Sequence, residues 1–250
     1  SEQAEKMENA LSSLFFCDIA ASGGKIICSV CSKIAEIRLR LGRFLSDQKP
    51  RTAERFTSEF IENSLHAVDL CAVSIDVVKA ELRLKFPNAV IKDTNFVTGS
   101  VLSEKLFDGK LFDLIISNPP HIRGEEISSI RNRLSDYLSS HRNADLYCYY
   151  AERAPKLLSQ NGCAVLFISN KWMTAEYGEG LREFFKDSPP DMIVDLGRPE
   201  FLKGTVIPMS IISLFREAES NDIKFIDASE RPEDITLYEY CAAAARPVSI

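Results

Sequence analysis

The chain has 250 residues, 45% hydrophobic and 26% charged, an ordinary balance for a globular protein with room for a substantial core. Lys and Arg number 30 against 36 Asp and Glu, a formal net charge of −6. That balance argues against a surface built mainly to grip phosphates, so nucleic-acid contact would need a local patch, a partner or a further domain. No apolar run reaches the roughly 20 residues that span a bilayer, and the opening SEQAEKMENA lacks the basic flank and apolar core of a secretory signal. The seven cysteines are odd in number and mostly set in apolar segments, which suits reduced thiols in a cytoplasmic protein.

In chain order, short continuous apolar runs predict buried strands at Leu14 to Ile19, His66 to Leu70, Ala89 to Lys92, Phe112 to Ser117, Cys163 to Ser169, Met192 to Leu196 and Met209 to Phe215. Helical spacing fills the gaps. Gly24 to Leu45 carries Ile26, Ile27, Val30, Ile34, Ile37 and Leu41 along one stripe. Ser74 to Phe86 and Ala144 to Leu158 behave alike, as does Ala175 to Phe185, which stops before Asp187-Ser188-Pro189-Pro190. Phe44 to Ser64 is polar and charged and reads as a surface helix or insertion. Ile122 to Asn143, rich in Arg, Ser and Glu, fits no pattern well. Beyond Glu217 one further strand is expected at Ile223 to Asp227. Strand–helix alternation at this spacing indicates a largely parallel α/β sheet with helices on both faces, and in such sheets ligands sit at the carboxyl ends of the strands.

The strongest chemical signal lies at such an end. Phe112-Asp113-Leu114-Ile115-Ile116 runs into Ser117-Asn118-Pro119-Pro120-His121. Two prolines fix φ and lack N–H groups, leaving carbonyls free to accept from a ligand. An amino group held by the Asn118 side-chain oxygen and the Pro119 carbonyl would donate two hydrogen bonds, aiming its lone pair at an electrophilic methyl group. His121 would offer a flat ring for stacking. The plainer reading of Asn-Pro here is a rigid strand-ending turn.

This segment resembles the catalytic (D/N/S)-P-P-(Y/F/W/H) motif of methyltransferases that act on amino groups. The resemblance continues in order along the chain, over roughly residues 14 to 216. Asp18-Ile19-Ala20-Ala21-Ser22-Gly23-Gly24 is similar to the Asp-Pro-Ala-Cys-Gly-Ser-Gly cofactor loop. Val68-Asp69-Leu70 is similar to the segment whose acidic residue holds the cofactor ribose, and Asn95-Phe96-Val97-Thr98-Gly99 to the segment beside the cofactor adenine. Ala144 to Tyr147, Gly162 to Ser169, and Asn170-Lys171-Trp172 with Tyr177-Gly178 and Leu181-Arg182 look like the family's later motifs. The order matches the adenine-specific DNA methyltransferases of type IIG restriction–modification and BREX-like defence systems. It implies a Rossmann-like class I S-adenosylmethionine-dependent fold with a mostly parallel seven-stranded sheet. It further implies S-adenosyl-L-methionine as cofactor and DNA as partner, its target adenine flipped out of the stack and methylated on N6. Asn118, Pro119, Pro120 and His121 would be catalytic. Asp18, Ala20, Ser22, Gly24, Asp69, Leu70, Asn95 and Phe96 would hold the cofactor, with no metal required. Residues 1–216 would form the catalytic domain. Residues 217–250 would form a C-terminal extension in which a target-recognition region begins, the rest lying elsewhere in a longer protein.

Several residues keep two readings. Ser22 stands where the family has glycine, so cofactor binding depends on whether Ser22 reaches glycine's backbone angles. Asp69 suits ribose hydroxyls but also a helix N-cap. Asn95 stands where Asp is usual, with Asp93 as a substitute, and Phe96 suits the adenine ring or the core equally. Tyr147 and Tyr150 share a helix face and read as core aromatics, whereas Lys171 and Trp172 could approach a target nucleotide. Cys28-Ser-Val-Cys31 lacks a second pair and reads as packing. Arg123, Arg131, Arg133 and Arg142 are interleaved with Glu125, Glu126 and Asp136, as on a solvated face. Two other readings compete: an RNA or protein-glutamine methyltransferase of the same fold, or a non-catalytic methyltransferase-like subunit.

Overall fold

A computed structural model describes residues 2–45, 50–102, 109–122, 134–198, 207–216, 222–232, 235–244 and 246–249. The chain divides into two compact units, Ser1–Ser117 and Asn118–Ile250.

The first unit carries strands β1 (Phe16–Asp18), β2 (Leu65–Asp69), β3 (Phe96–Thr98) and β4 (Phe112–Ser117) in the order β3-β2-β1-β4, every pair parallel. Its helices are α1 (Glu2–Ser12), α2 (Lys25–Gly42), α3 (Pro50–Asn63) and α4 (Ala72–Lys85). Parallel strands are covered by their crossover helices, so β1 is buried throughout and β2 over its first four residues. The helices close the core with residues at helical spacing: Ile27, Cys28, Cys31 and Ile34 of α2, Phe60 and Ile61 of α3, and Ile75, Val78 and Leu82 of α4. Each such apolar side chain contributes about 1.5–3 kcal/mol when fully buried. Cys28 and Cys31 sit in this cluster as free thiols. Within the polar stretch read from Phe44 to Ser64, Pro50–Asn63 forms α3.

The third strand lies later than the sequence suggests. Ala89 to Lys92 is an irregular connector that tucks Ala89 and Ile91 against the core, and the strand is Phe96–Thr98. Only Phe96 in that strand is buried, so the edge offers no apolar run to read. Because β2 and β3 wind to one side of β1 and β4 to the other, the chain reverses its winding between β1 and β4. In α/β sheets the crevice at the carboxyl ends of such a pair is where ligands bind.

The second unit carries β5 (Leu158–Ser169), β6 (Met192–Gly197), β7 (Met209–Phe215), β8 (Asp222–Asp227) and β9 (Arg246–Ser249), ordered β5-β7-β6-β8-β9. Its helices are α5 (Leu146–Arg153), α6 (Glu179–Asp187) and α7 (Leu237–Ala244). β7 runs antiparallel to both β5 and β6, β8 is parallel to β6, and β9 is antiparallel to β8. β5, β6 and β8 therefore share one direction. Among the described residues the strands number nine rather than seven, the two extra being β8, read from Ile223 to Asp227, and β9, which the sequence did not suggest. No helix among the described residues is long and apolar enough to cross a membrane.

Candidate active site

The first unit brings its expected loop residues together at the ends of β1, β2 and β4. Asp18, 1% exposed, ends β1. Its Oδ1 accepts from the Ser117 hydroxyl at 2.7 Å and from the Ala20 N–H at 3.1 Å. Its Oδ2 is buried with no partner among the described residues. Burial pushes the Asp18 carboxyl up to about 7; the hydrogen bonds from Ser117 and Ala20 act the other way, and nearby Asp69 adds to the rise. A buried carboxylate with one vacant oxygen is costly unless a donor or cation meets it.

The loop after Asp18 answers the question that Ser22 posed. Ser22 has φ 46°, inside the left-handed region, so it does adopt the conformation for which glycine is usual. Its N–H donates to Asp69 Oδ2 at 2.8 Å, which holds the strained turn. Ala21 N–H donates to the Val68 carbonyl, Gly24 N–H to the Ala21 carbonyl. Gly24, with φ 75°, opens α2, and a Cβ there would stand 3.3 Å from Val78 Cα. A Cβ on Gly23 would meet nothing within 4 Å among the described residues, so the loop is open to them above that residue.

Asp69 ends β2 and accepts from Ser22 N–H and, through Oδ1, from Cys71 N–H at 2.8 Å. The N-cap position of α4 belongs to Cys71, so Asp69 braces two loops rather than capping the helix. Carboxylate oxygens have further lone pairs, leaving acceptor capacity for a ligand. Leu70 is 51% exposed beside it. Asn95 and Phe96 are drawn inward instead. Asn95 is buried, and its amide nitrogen donates to the Glu62 carbonyl at 3.1 Å. Phe96 belongs to the core cluster, and Asp93 pairs with Lys79 at 2.7 Å.

The tetrapeptide begins the second unit. Asn118 is exposed, Pro119 buried, Pro120 and His121 half-buried. The loop is tied down where Leu146 N–H donates to the Ile122 carbonyl at 2.9 Å. His121 rests against Tyr147, ring centroids 5.4 Å apart. Both His121 ring nitrogens are buried without a hydrogen-bond partner among the described residues, and burial holds the imidazole below its ordinary pKa. Tyr147 is fully buried, its hydroxyl 3.1 Å from that of Tyr177, and Tyr150 is buried too.

Trp172 does not reach outward: it is 4% exposed, packs edge-on against Phe185, and its indole N–H lies 3.4 Å from the Ser210 hydroxyl. Lys171 is exposed. Of the four candidate arginines only Arg142 falls among the described residues, where it is exposed; Arg123, Arg131 and Arg133 lie outside them. His66 gains partners invisible in the sequence, the Ser64 carbonyl and Lys110 Nζ at 2.8 Å from Nε2. The residue whose role the sequence concealed is Ser117. It reads as the polar end of an apolar strand, and only the β1–β4 pairing brings its hydroxyl to Asp18.

Comparison with known proteins gives the family and the fold. The type II methyltransferase M.BstVI of Geobacillus stearothermophilus is 32% identical over 79 residues, 31% of this chain and 14% of that protein. The release factor glutamine methyltransferase of Lactococcus lactis is 29% identical over 140 residues, 53% of this chain and 49% of that protein. The chain thus spans half or less of the length of these curated relatives. A nuclease-deletion mutant of the Type ISP restriction-modification enzyme LlaGI, solved with a DNA substrate mimic, matches with a TM-score of 0.67 at 13% identity, covering 99% of this chain and 25% of that one. A Listeria monocytogenes protein assigned to the class I S-adenosylmethionine-dependent methyltransferases matches with a TM-score of 0.56 at 13% identity, covering 92% of this chain and 64% of that one. The fold is therefore that of the class I methyltransferases. A family model described as Eco57I restriction-modification methylase matches residues 27–201, well over half the chain. By that match, the chain belongs to the Eco57I restriction-modification methylase family.

Proposed function

We propose that this chain binds S-adenosylmethionine and directs its methyl group to the exocyclic N6 amino group of adenine in DNA, as the catalytic part of a restriction–modification or phage-defence enzyme. One observation carries the reading: the hydrogen bond from Ser117 to Asp18 joins the small-residue loop after β1 to the strand that runs directly into Asn118-Pro119-Pro120-His121. Membership of a restriction-modification methylase family and the similarity to a type II methyltransferase support DNA as the substrate class.

The residues present fit the cofactor. The vacant, buried Asp18 Oδ2 suits an ammonium donor, Asp69 suits a pair of ribose hydroxyls, and the open space above Gly23 leaves room for a ligand against the loop backbone. Ala20, Ser22, Gly24 and Leu70 line the same turns. When bound, S-adenosylmethionine supplies an activated methyl group on a sulfonium, so the protein's part is to position and hydrogen-bond the acceptor. The Asn118 side-chain oxygen and the Pro119 carbonyl accept from the amino group and orient its lone pair. His121, neutral at pH 7 because burial lowers its pKa, stacks on the flipped base.

Tritiated S-adenosylmethionine should label DNA in the presence of this chain, and Asn118→Ala should abolish labelling while leaving cofactor affinity within a few-fold of wild type. Undiminished DNA labelling by Asn118→Ala would sink the assignment. The similarity to a glutamine methyltransferase spans more of this chain than that to M.BstVI, which favours protein glutamine as the second reading. Labelling of a glutamine-containing release-factor loop in preference to DNA would establish it.

A further inference from the structure

Ser117 is 1% exposed, and its hydroxyl donates to Asp18 Oδ1 at 2.7 Å across 99 residues of sequence. The other oxygen of that carboxylate, Oδ2, is buried and without a partner among the described residues, while the Ala20 N–H is the second donor to Oδ1. A cation or donor arriving at Oδ2 favours the ionised carboxylate. Hydrogen bonds to an ionised acceptor are shorter and roughly twice as strong as neutral ones. Filling the vacant side of Asp18 therefore tightens the hold on Ser117.

The chain immediately after Ser117 has little slack. Asn118 and Pro119 each precede a proline, which confines them to extended backbone. Pro119 and Pro120 have φ locked by their rings. Pro119 is buried, and the stretch is tied at its far end by the bond from Leu146 N–H to the Ile122 carbonyl. A small shift at Ser117 is passed to Asn118 rather than absorbed.

We propose that Ser117 is a positioning residue: its hydroxyl transmits occupancy of the Asp18 loop to Asn118, so that the amide is fixed for the acceptor only when the cofactor is bound. The proposal rests on the methyltransferase reading above and adds to it an order of events, cofactor before acceptor.

The test tracks the Asn118 side-chain amide by NMR, its signal assigned by its loss in Asn118→Ala, while S-adenosylmethionine is titrated and its Kd is measured by calorimetry. In wild type the signal should move on binding. In Ser117→Ala the Kd should rise about three- to tenfold, because the bond that the cofactor strengthens must strengthen cofactor binding equally, and at saturating cofactor the movement should fall to less than half. Transfer at saturating cofactor should fall about ten- to hundredfold, the loss of one hydrogen bond to a charged group. Ser117→Thr, which restores the hydroxyl, should recover both. If Ser117→Ala does not fold, Asp18→Asn at saturating cofactor approaches the same bond from its other end and should show the same reduced movement. A Ser117→Ala protein that binds cofactor with full movement and full rate overturns the proposal. So does a wild-type signal that stays still on binding, which leaves the methyltransferase reading intact. A wild type that binds no cofactor takes down that reading itself.

Discussion

The two units solve opposite problems. In the first, the loop after β1 departs from what is comfortable for a folded chain: Asp18 is buried with one oxygen unmet among the described residues, and Ser22 sits at φ 46° where glycine would be easier. In the second, the segment after β5 is held by close packing. Gly178 lies against the Trp172 carbonyl and Gly180 against the Leu138 carbonyl, so near that a Cβ on either would fall within 2.1 Å of oxygen. Arg182 donates to the Trp172 and Ala175 carbonyls at 2.6 and 2.9 Å, and buried Glu152 accepts from the N–H groups of Leu138 and Ser139. Strain concentrated beside ligand sites is a common compromise between activity and stability. The contrast teaches that substitutions should change stability in opposite directions in the two regions.

The largest effect is expected from Gly178→Ala, which drives a methyl into a backbone carbonyl that cannot rotate away. It should destabilise the protein by roughly 3 kcal/mol or more, at the upper end for overpacking. A denaturant melt with an unchanged midpoint would show that the second unit is looser than its packing indicates.

Asp18→Asn should act in the other direction and with a pH signature. A carboxyl raised in the folded state takes up its proton more readily there than in the unfolded chain. Its contribution to stability is therefore fully present below about pH 4, the range of a free carboxyl, and is lost as the pH climbs through about 7. Removing the charge should thus stabilise the ligand-free protein at pH 8 by up to a few kcal/mol. The gain should shrink as the pH falls below 7, and cofactor affinity should drop. Thermal melts of both proteins from pH 5 to 8 check this, and parallel curves would refute the buried charge as the cause.

The smallest effect is expected from Ser22→Gly. Relief of the left-handed strain is partly offset by glycine's greater freedom in the unfolded chain, leaving a gain on the order of 0.5 kcal/mol. Cofactor affinity should hold or improve. A loss of stability would mean that the Ser22 side chain, and not only its N–H on Asp69, supports the loop.

Much of this was legible in the sequence. The strands that end in Asp18, Asp69 and Ser117 showed as continuous apolar runs because a parallel sheet is buried on both faces. The tetrapeptide showed because two prolines after an apolar strand leave few alternatives. β3 did not show, since an edge strand with one buried residue has no pattern. Nor did Trp172: an aromatic beside Lys and Asn looks the same in sequence whether it faces a ligand or the core.

The sequence by itself determined the order of elements, the placement of the candidate groups at strand ends and the identity of the tetrapeptide, because periodicity and local chain chemistry depend on near neighbours. Only the tertiary structure decided three further matters: that Ser22 takes the left-handed conformation with Asp69 as its brace, that Asn95 is drawn to Glu62, and that Ser117 meets Asp18. Each depends on a partner 33 to 99 residues away in the chain, and which strands lie side by side is set by packing of the whole unit.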